Sequence, residues 1–292
     1  KVKKEDVKRL TPAQWPTVGV VIPAYNAPVM LERCLNGIES TEYAGEVQTC
    51  IIDNGSDPPI WDQFPEERKP LFIERLEDVV GFAAAVNVGF KVLQAWRGDL
   101  QYVVLMNQDC EVLPDHTDWL THLINWMEQR PRCAVAGSKL LFPDGTLQHA
   151  GNEVPKGGVG AHRFYRKPAN LPEANFYEKV QSVTGAVYCI RKTALDELGY
   201  FDEGYTLGCE ETDFSLRAAA HGWEVWYVPD SVVLHHEHGV RQANPQDAAR
   251  IRKWNVESDR RFRDKWGDFT DLCADGSAVV VVDAWNPVTA EC

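Results

Sequence analysis

The first 110 residues alternate apolar runs of strand length with stretches of helical period, and that alternation leaves few folds open. Residues 18–22 form a short apolar run ending at Pro23, as a buried parallel strand does. Residues 29–38 then carry Val29, Met30, Cys34, Leu35 and Ile38 at helical spacing. Residues 47–52 predict a second strand, closed by Asp53-Asn54-Gly55-Ser56-Asp57-Pro58-Pro59, a dense turn signal. A third strand is expected at 71–73, a helix entered through Gly81 at 82–96, and a fourth strand at 102–106. Such a β-α-β-α order implies a mostly parallel sheet with helices on both faces. Ligands of these sheets bind beyond the carboxyl ends of the strands. Three polar tips fall there: Pro23-Ala24-Tyr25-Asn26, Asp53-Asn54-Gly55-Ser56 and Asn107-Gln108-Asp109.

Further along, 118–129 reads as a helix stopped by Pro131, and 142–147 as a hairpin. Residues 151–172 hold Gly157, Gly158 and Gly160 among scattered basic side chains with no clear period; long segments of this kind serve as lids or binding loops. Residues 245–266 predict a helix packed on the domain, and 271–292 contain Ala278-Val279-Val280-Val281-Val282, a strand without an obvious partner. A chain of 292 residues suits one large α/β domain with a modest appendage.

Net charge is −13, which argues against a nucleic-acid partner and against charge-driven anchoring to anionic lipid. An anionic nucleotide is still admissible, because a divalent cation reverses the local sign. No apolar run reaches membrane-spanning length, and K-V-K-K-E-D-V-K-R-L does not read as a signal peptide. Peripheral membrane association stays open. The 8 cysteines lie far apart, several inside strand-like runs, which favours buried thiols and a reducing, cytoplasmic setting. The sequon Asn54-Gly55-Ser56 overlaps the expected pocket, where a glycan has no room.

Three constellations carry chemistry. An Asp after a buried strand, as at Asn107-Gln108-Asp109, can ligate Mg2+ or Mn2+; a plain turn explains the same residues equally well. Glu210, Glu211 and Asp213 open a helix carrying Phe214, Leu216 and Arg217. Capping accounts for one such carboxylate; with three in four positions, mutual repulsion is expected to raise at least one pKa and favour proton abstraction. His235, His236 and His238 follow a strand, whose alternation sends His235 to one face and the other two to the opposite face. One of the three is a candidate metal ligand, and the spacing does not say which. There is no H-E-x-x-H zinc signature, no phosphate loop and no dinucleotide fingerprint, so the glycines at 157, 158 and 160 read as flexibility.

Taken in order, V-V-I-P-A-Y-N, I-I-D-N-G-S, A-V-N-V-G, L-M-N-Q-D, V-T-G-A, G-Y-F-D-E, E-E-T-D-F-S-L-R and V-P-D-S-V-V-L-H resemble the family 2 inverting glycosyltransferases of the GT-A fold. L-x-N-x-D and the closing F-R-D-K-W-G are most similar to the branch of rhamnosyl- and galactofuranosyltransferases. The resemblance covers roughly 18–266 and implies an N-terminal extension (1–16), a GT-A catalytic domain (17–240), a helical extension (241–270) and a tail (271–292). It implies an enzyme moving a hexosyl unit from a nucleotide-diphosphate sugar to a glycan or glycolipid hydroxyl, with Mn2+ or Mg2+ as cofactor. By this resemblance Asp53 contacts the nucleotide base, in a pocket lined by Pro23, Ala24 and Tyr25. Asn26, Asn54, Asn87 and Gln108 join them as nucleotide-binding candidates, with Asn107 near the ribose or diphosphate. Asp109 and His235 are the implied metal ligands. Glu211 stands at the base position after its acidic partner Glu210, and Asp213 orients the acceptor or structures the helix.

Two positions depart from the family pattern. Asn107 replaces the first Asp of D-x-D, and Glu211 is one methylene longer than the usual Asp. A sugar-phosphate nucleotidyltransferase would need a Gly-rich loop after the first strand, which P-A-Y-N does not offer. A decayed binding module would be expected to lack a carboxylate at the metal or base position, yet Asp109 and Glu211 are both acidic.

Overall fold

The strand alternation resolves into two apolar cores, one on each face of a 10-stranded sheet. The computed structural model describes residues 1–10, 15–64, 72–155, 157–237 and 244–267, with the backbone of 270–272 and 278–280. The leading half comprises β1 (Thr17–Ala24), α1 (Pro28–Glu39), β2 (Val47–Asn54), β3 (Ile73–Leu76), α2 (Phe82–Trp96) and β4 (Leu100–Met106). Then come β5 (Cys110–Glu111), α3 (Trp119–Glu128), β6 (Cys133–Leu141), β7 (Leu147–His149), β8 (Asn152–Glu153), β9 (Ala161–His162) and β10 (Glu178–Lys179). β11 (Val187–Arg191), α4 (Lys192–Leu198), α5 (Glu210–Ala220), β12 (Glu224–His235) and α6 (Ala248–Trp266) follow. β13 (Thr270–Leu272) and β14 (Ala278–Val280) pair with each other.

Along β4, Tyr102, Val104 and Met106 face a core shared with α1 and α3, whereas Val103 and Leu105 face one shared with α2, α4 and α5. That period of two, with both faces covered, is the physical reason these strands read as continuous apolar runs. Helix α2 lies close on the sheet because Gly89 has no side chain; a Cβ there would collide with Val21 Cγ1.

The sheet order is β10-β12-β6-β11-β4-β1-β2-β3. The connection from β1 runs outward through β2 to β3, then returns to place β4 on the other side of β1. This reversal opens a crevice at the carboxyl ends of β1 and β4, the place where open α/β sheets take ligands. One expectation needs correction: the third strand runs from Ile73 to Leu76 rather than over 71–73, and position 71 lies outside the described residues. The sheet is mostly parallel, as expected, with β11 set between β4 and β6 and antiparallel to both.

The predicted helix at 245–266 begins with a short 3-10 turn and continues as α6. Phe262 and Trp266 bury against Val154, Tyr205 and Leu216, fastening α6 to α5. Of the cysteines, 34, 50, 110, 133, 189 and 209 are buried and free, while 273 and 292 lie outside the described residues. Among the described residues, no helix is long and apolar enough to cross a membrane.

Candidate active site

A cleft of about 310 Å³ opens at the reversal point. Its floor is the end of β1 (Pro23, Ala24) with Tyr25, together with Asn54 from β2 and Asn107, Gln108 and Asp109 after β4. Gln108 is turned inward, holding Tyr25 through its N–H (3.2 Å) and its carbonyl (3.0 Å). The two polar tips are thereby tied into one surface.

The end of β12 brings His235 across to Asp109, pairing His235 with Cys110 in the adjoining β5. Gln148 Oε1 accepts a hydrogen bond from His235 Nδ1 at 2.7 Å, which leaves the lone pair on Nε2. That Nε2 stands 3.1 Å from Asp109 Oδ1. Two Lewis bases converging in this way call for a shared proton or a cation between them, and an imidazole oriented through its other nitrogen is the usual arrangement at metals. Close by, Asn107 Oδ1 and Gln148 Nε2 are buried without a hydrogen-bond partner. Among the described residues no three His, Cys, Asp or Glu side chains form a complete metal cage. The donor set therefore fits a hard divalent ion that completes its shell with diphosphate oxygens and water. His236 turns the other way, to Glu111 Oε2 at 2.8 Å, as strand alternation requires; His238 lies outside the described residues.

Three of the nucleotide-binding candidates hold protein partners in the structure. Asp53 is fully buried, its Oδ1 accepting from Ser56 N and its Oδ2 from Ile60 N and Arg75 Nη1. It organises the loop after β2, and the neighbouring Asn54 reaches the cleft instead. Asn87 bridges α2 to Phe201 and Glu203. Asn26 folds its carbonyl back onto Asp57 N at 2.8 Å. Each of these polar groups satisfies buried or turn backbone first, a demand that sequence alone does not display.

The carboxylate cluster splits by role. Glu210 is 3% exposed, and its Oε2 has no hydrogen-bond partner. Glu211 Oε2 is likewise buried and unpaired. Burial pushes both carboxyls above the ordinary carboxylate range, and for Glu210 the Glu211 charge adds to it. Glu211 adjoins the cleft behind Gly185, where an added Cβ would lie 3.6 Å from its Cγ; the preceding Thr184 lines the cleft itself. Asp213 faces away from it. One oxygen accepts from Trp266 Nε1 (2.8 Å), Tyr205 (3.2 Å) and Lys265 Nζ (2.8 Å), the other from Arg217 Nε (2.9 Å). Saturated and fully buried, it structures the helix.

Several cleft residues carried no signal in the sequence. Val79, Val80 and Phe82 form one wall, and Arg250, Ile251 and Trp254 of α6 form another. Arg250 stacks over Tyr25 and Trp254, with its Nη2 3.0 Å from the Tyr25 hydroxyl. The segment after β8 delivers His162.

Comparison with known proteins identifies the family and the fold. The family model described as "Glycosyl transferase family 2" matches residues 19–199. An uncharacterized protein y4gI of Sinorhizobium fredii is 28% identical over 88% of this chain. The O-antigen biosynthesis protein RfbC of Myxococcus xanthus is 28% identical over 78%. An N-acetylglucosaminyl-diphospho-decaprenol L-rhamnosyltransferase of Mycobacterium tuberculosis is 27% identical over 75%. The chain spans 28% and 18% of the length of the first two relatives and 75% of the third. Among solved structures, GalNAc-T7 with UDP, GalNAc and Mn2+ superposes with a TM-score of 0.58 at 18% identity, covering 77% of this chain and 44% of that one. The mannosyltransferase PcManGT from Pyrobaculum calidifontis, with GDP-Man and Mn2+, gives 0.55 at 19% identity, covering 89% and 70%. The architecture is the GT-A fold, and the chain belongs to glycosyl transferase family 2.

Proposed function

We propose that the chain is an inverting glycosyltransferase that moves a hexosyl unit from a nucleoside-diphosphate donor to a hydroxyl of a glycan or glycolipid. The observation that carries this reading is the convergence of Asp109 and the His235 Nε2 lone pair beside the strand tips of the cleft. Asp109 and His235 are the residues that would hold Mn2+ or Mg2+, and the ion would neutralise the diphosphate as it leaves. The Mn2+ named with the two solved structures supports that choice. The rhamnosyltransferase relative supports a lipid-linked glycan acceptor.

Pro23, Ala24, Tyr25 and Asn54 supply the surface for the nucleoside, and Asn107 the unpaired carbonyl beside it. Glu211 takes the proton of the acceptor hydroxyl. The acceptor oxygen attacks the anomeric carbon from the side opposite the diphosphate, whose bond to that carbon breaks with the electron pair leaving on phosphate oxygen. A raised carboxyl pKa suits the task, since it strengthens Glu211 as a base near neutral pH. Walls from α6 and from the segment after β8 limit water at the donor.

The testing variant is Glu211→Gln. Transfer should fall by about 10²–10⁴-fold while nucleotide binding, measured by calorimetry with Mn2+, is retained. Near-normal turnover in this variant refutes the base assignment.

A further inference from the structure

Two histidines outside the metal-ligand set meet at the cleft wall. His149, at the end of β7, is fully buried, and its Nε2 accepts backbone N–H groups from Gly151 (3.2 Å) and Thr184 (3.3 Å). A ring nitrogen facing two N–H donors carries no proton, so the proton of neutral His149 sits on Nδ1. That Nδ1 lies 2.8 Å from Nδ1 of His162, with the rings nearly perpendicular at 88°. His149 is the donor of this bond, so His162 Nδ1 is the acceptor. The proton of His162 is then confined to Nε2, the nitrogen left over on a ring that lines the cleft. Burial holds both imidazoles below their ordinary range, which keeps the pair neutral.

We infer that His162 reads a hydroxyl of the transferred sugar through a fixed Nε2–H donor, with His149 as the residue that positions it and sets its tautomer. This inference rests on the donor site described above. A hydroxyl fits better than a phosphate oxygen because Glu237 also lines the cleft and bears on the same imidazole. It accepts the hydroxyl of Tyr165, the ring stacked on His162. A carboxylate repels an anion but accepts from a sugar hydroxyl, so a neutral N–H and a carboxylate together suit a group that both donates and accepts. His162 lines the same cleft as Asp109 and His235, which fits a hydroxyl on the sugar attached at the diphosphate. Of the two histidines, only His162 touches substrate.

Two measurements test this. The first needs no substrate: long-range 1H–15N correlation of the histidine rings in the labelled protein. A neutral Nδ1–H form for His149 and a neutral Nε2–H form for His162 are expected. The opposite tautomer or an imidazolium at either ring near neutral pH overturns the inference.

The second is calorimetry with Mn2+, comparing UDP, dTDP and GDP with UDP-glucose, UDP-galactose, dTDP-rhamnose and GDP-mannose. In His162→Ala, affinity for the sugar nucleotide preferred by the wild type should drop about tenfold, with the matching nucleoside diphosphate unchanged. His162→Gln, which retains an N–H donor, should recover most of the loss. An equal loss for both ligands makes His162 a phosphate contact or a purely structural residue and overturns the inference, as does no loss. Wild type binding none of the nucleotides would instead sink the donor-site reading, and this inference with it.

Discussion

Glu210 and Glu211 show how one residue's surroundings decide its chemistry. Their repulsion was legible as three carboxylates in four positions, but the leading cause of the raised pKa values is loss of water around buried, unpaired oxygens. A carboxyl with a folded pKa above its unfolded one binds more protons in the native state. Stability is then lost as pH rises from the ordinary carboxylate range through the raised value. Native stability should therefore decline over that window, and Glu210→Gln should flatten the slope and raise the midpoint near pH 7. Urea unfolding at a series of pH values checks this; an unchanged slope in the variant would remove Glu210 as its source. Transfer has the opposite sign, because the base acts ionised: its rate should rise with pH through the raised pKa of Glu211. Asp53 and Asn87 mark the limit of residue-level reading. Both have the residue type of a ligand contact, but Asp53 spends its hydrogen bonds on the loop that follows it and on Arg75, and Asn87 on Phe201 and Glu203, far away in sequence.

At the scale of elements, apolar period named most helices and strands, because each buries one stripe or two faces against a neighbour. Period does not name the neighbour. α6 was legible as a helix packed on the domain, yet nothing in its pattern placed Arg250 and Trp254 in the cleft wall or Trp266 on the buried Asp213. For the same reason V-T-G-A was legible as a motif without the strand β11 that follows it or that strand's antiparallel place between β4 and β6. The joint between α5 and α6 has a measurable consequence. Trp266→Ala removes a fully buried side chain and one donor to Asp213, and should cost about 3–5 kcal/mol of stability, read by chemical denaturation. Arg250→Ala leaves that joint intact and should weaken nucleoside diphosphate binding about tenfold through the lost charge-assisted contact. If Arg250→Ala lowered stability as Trp266→Ala does, Arg250 would be a fastening of the helix rather than part of the donor wall.

At the scale of the whole molecule, the proposed function asks a chain of net charge −13 to bind an anionic donor. Among the described residues lining the cleft, Arg250 is the one Lys or Arg, while Asp109 and Glu237 are acidic. Such a pocket repels a diphosphate until a divalent cation reverses the local sign. The same ion has little to do with holding the fold, since no complete cage of protein ligands exists among the described residues and the two cores lie on the faces of the sheet. Metal and nucleotide should therefore act on stability only together. A chelator alone should leave the thermal midpoint of the free protein unchanged, and so should nucleotide alone. Mn2+ with the right nucleoside diphosphate at a hundredfold excess over its dissociation constant should add about 2.7 kcal/mol. Asp109→Ala should lose that response while keeping the midpoint of the free protein, because on the proposed reading its side chain serves the ion and not the core. A nucleotide response that survives both the chelator and Asp109→Ala would mean that α6 and the strand tips hold the diphosphate without a cation, and the metal-assisted departure of the nucleotide would have to be abandoned.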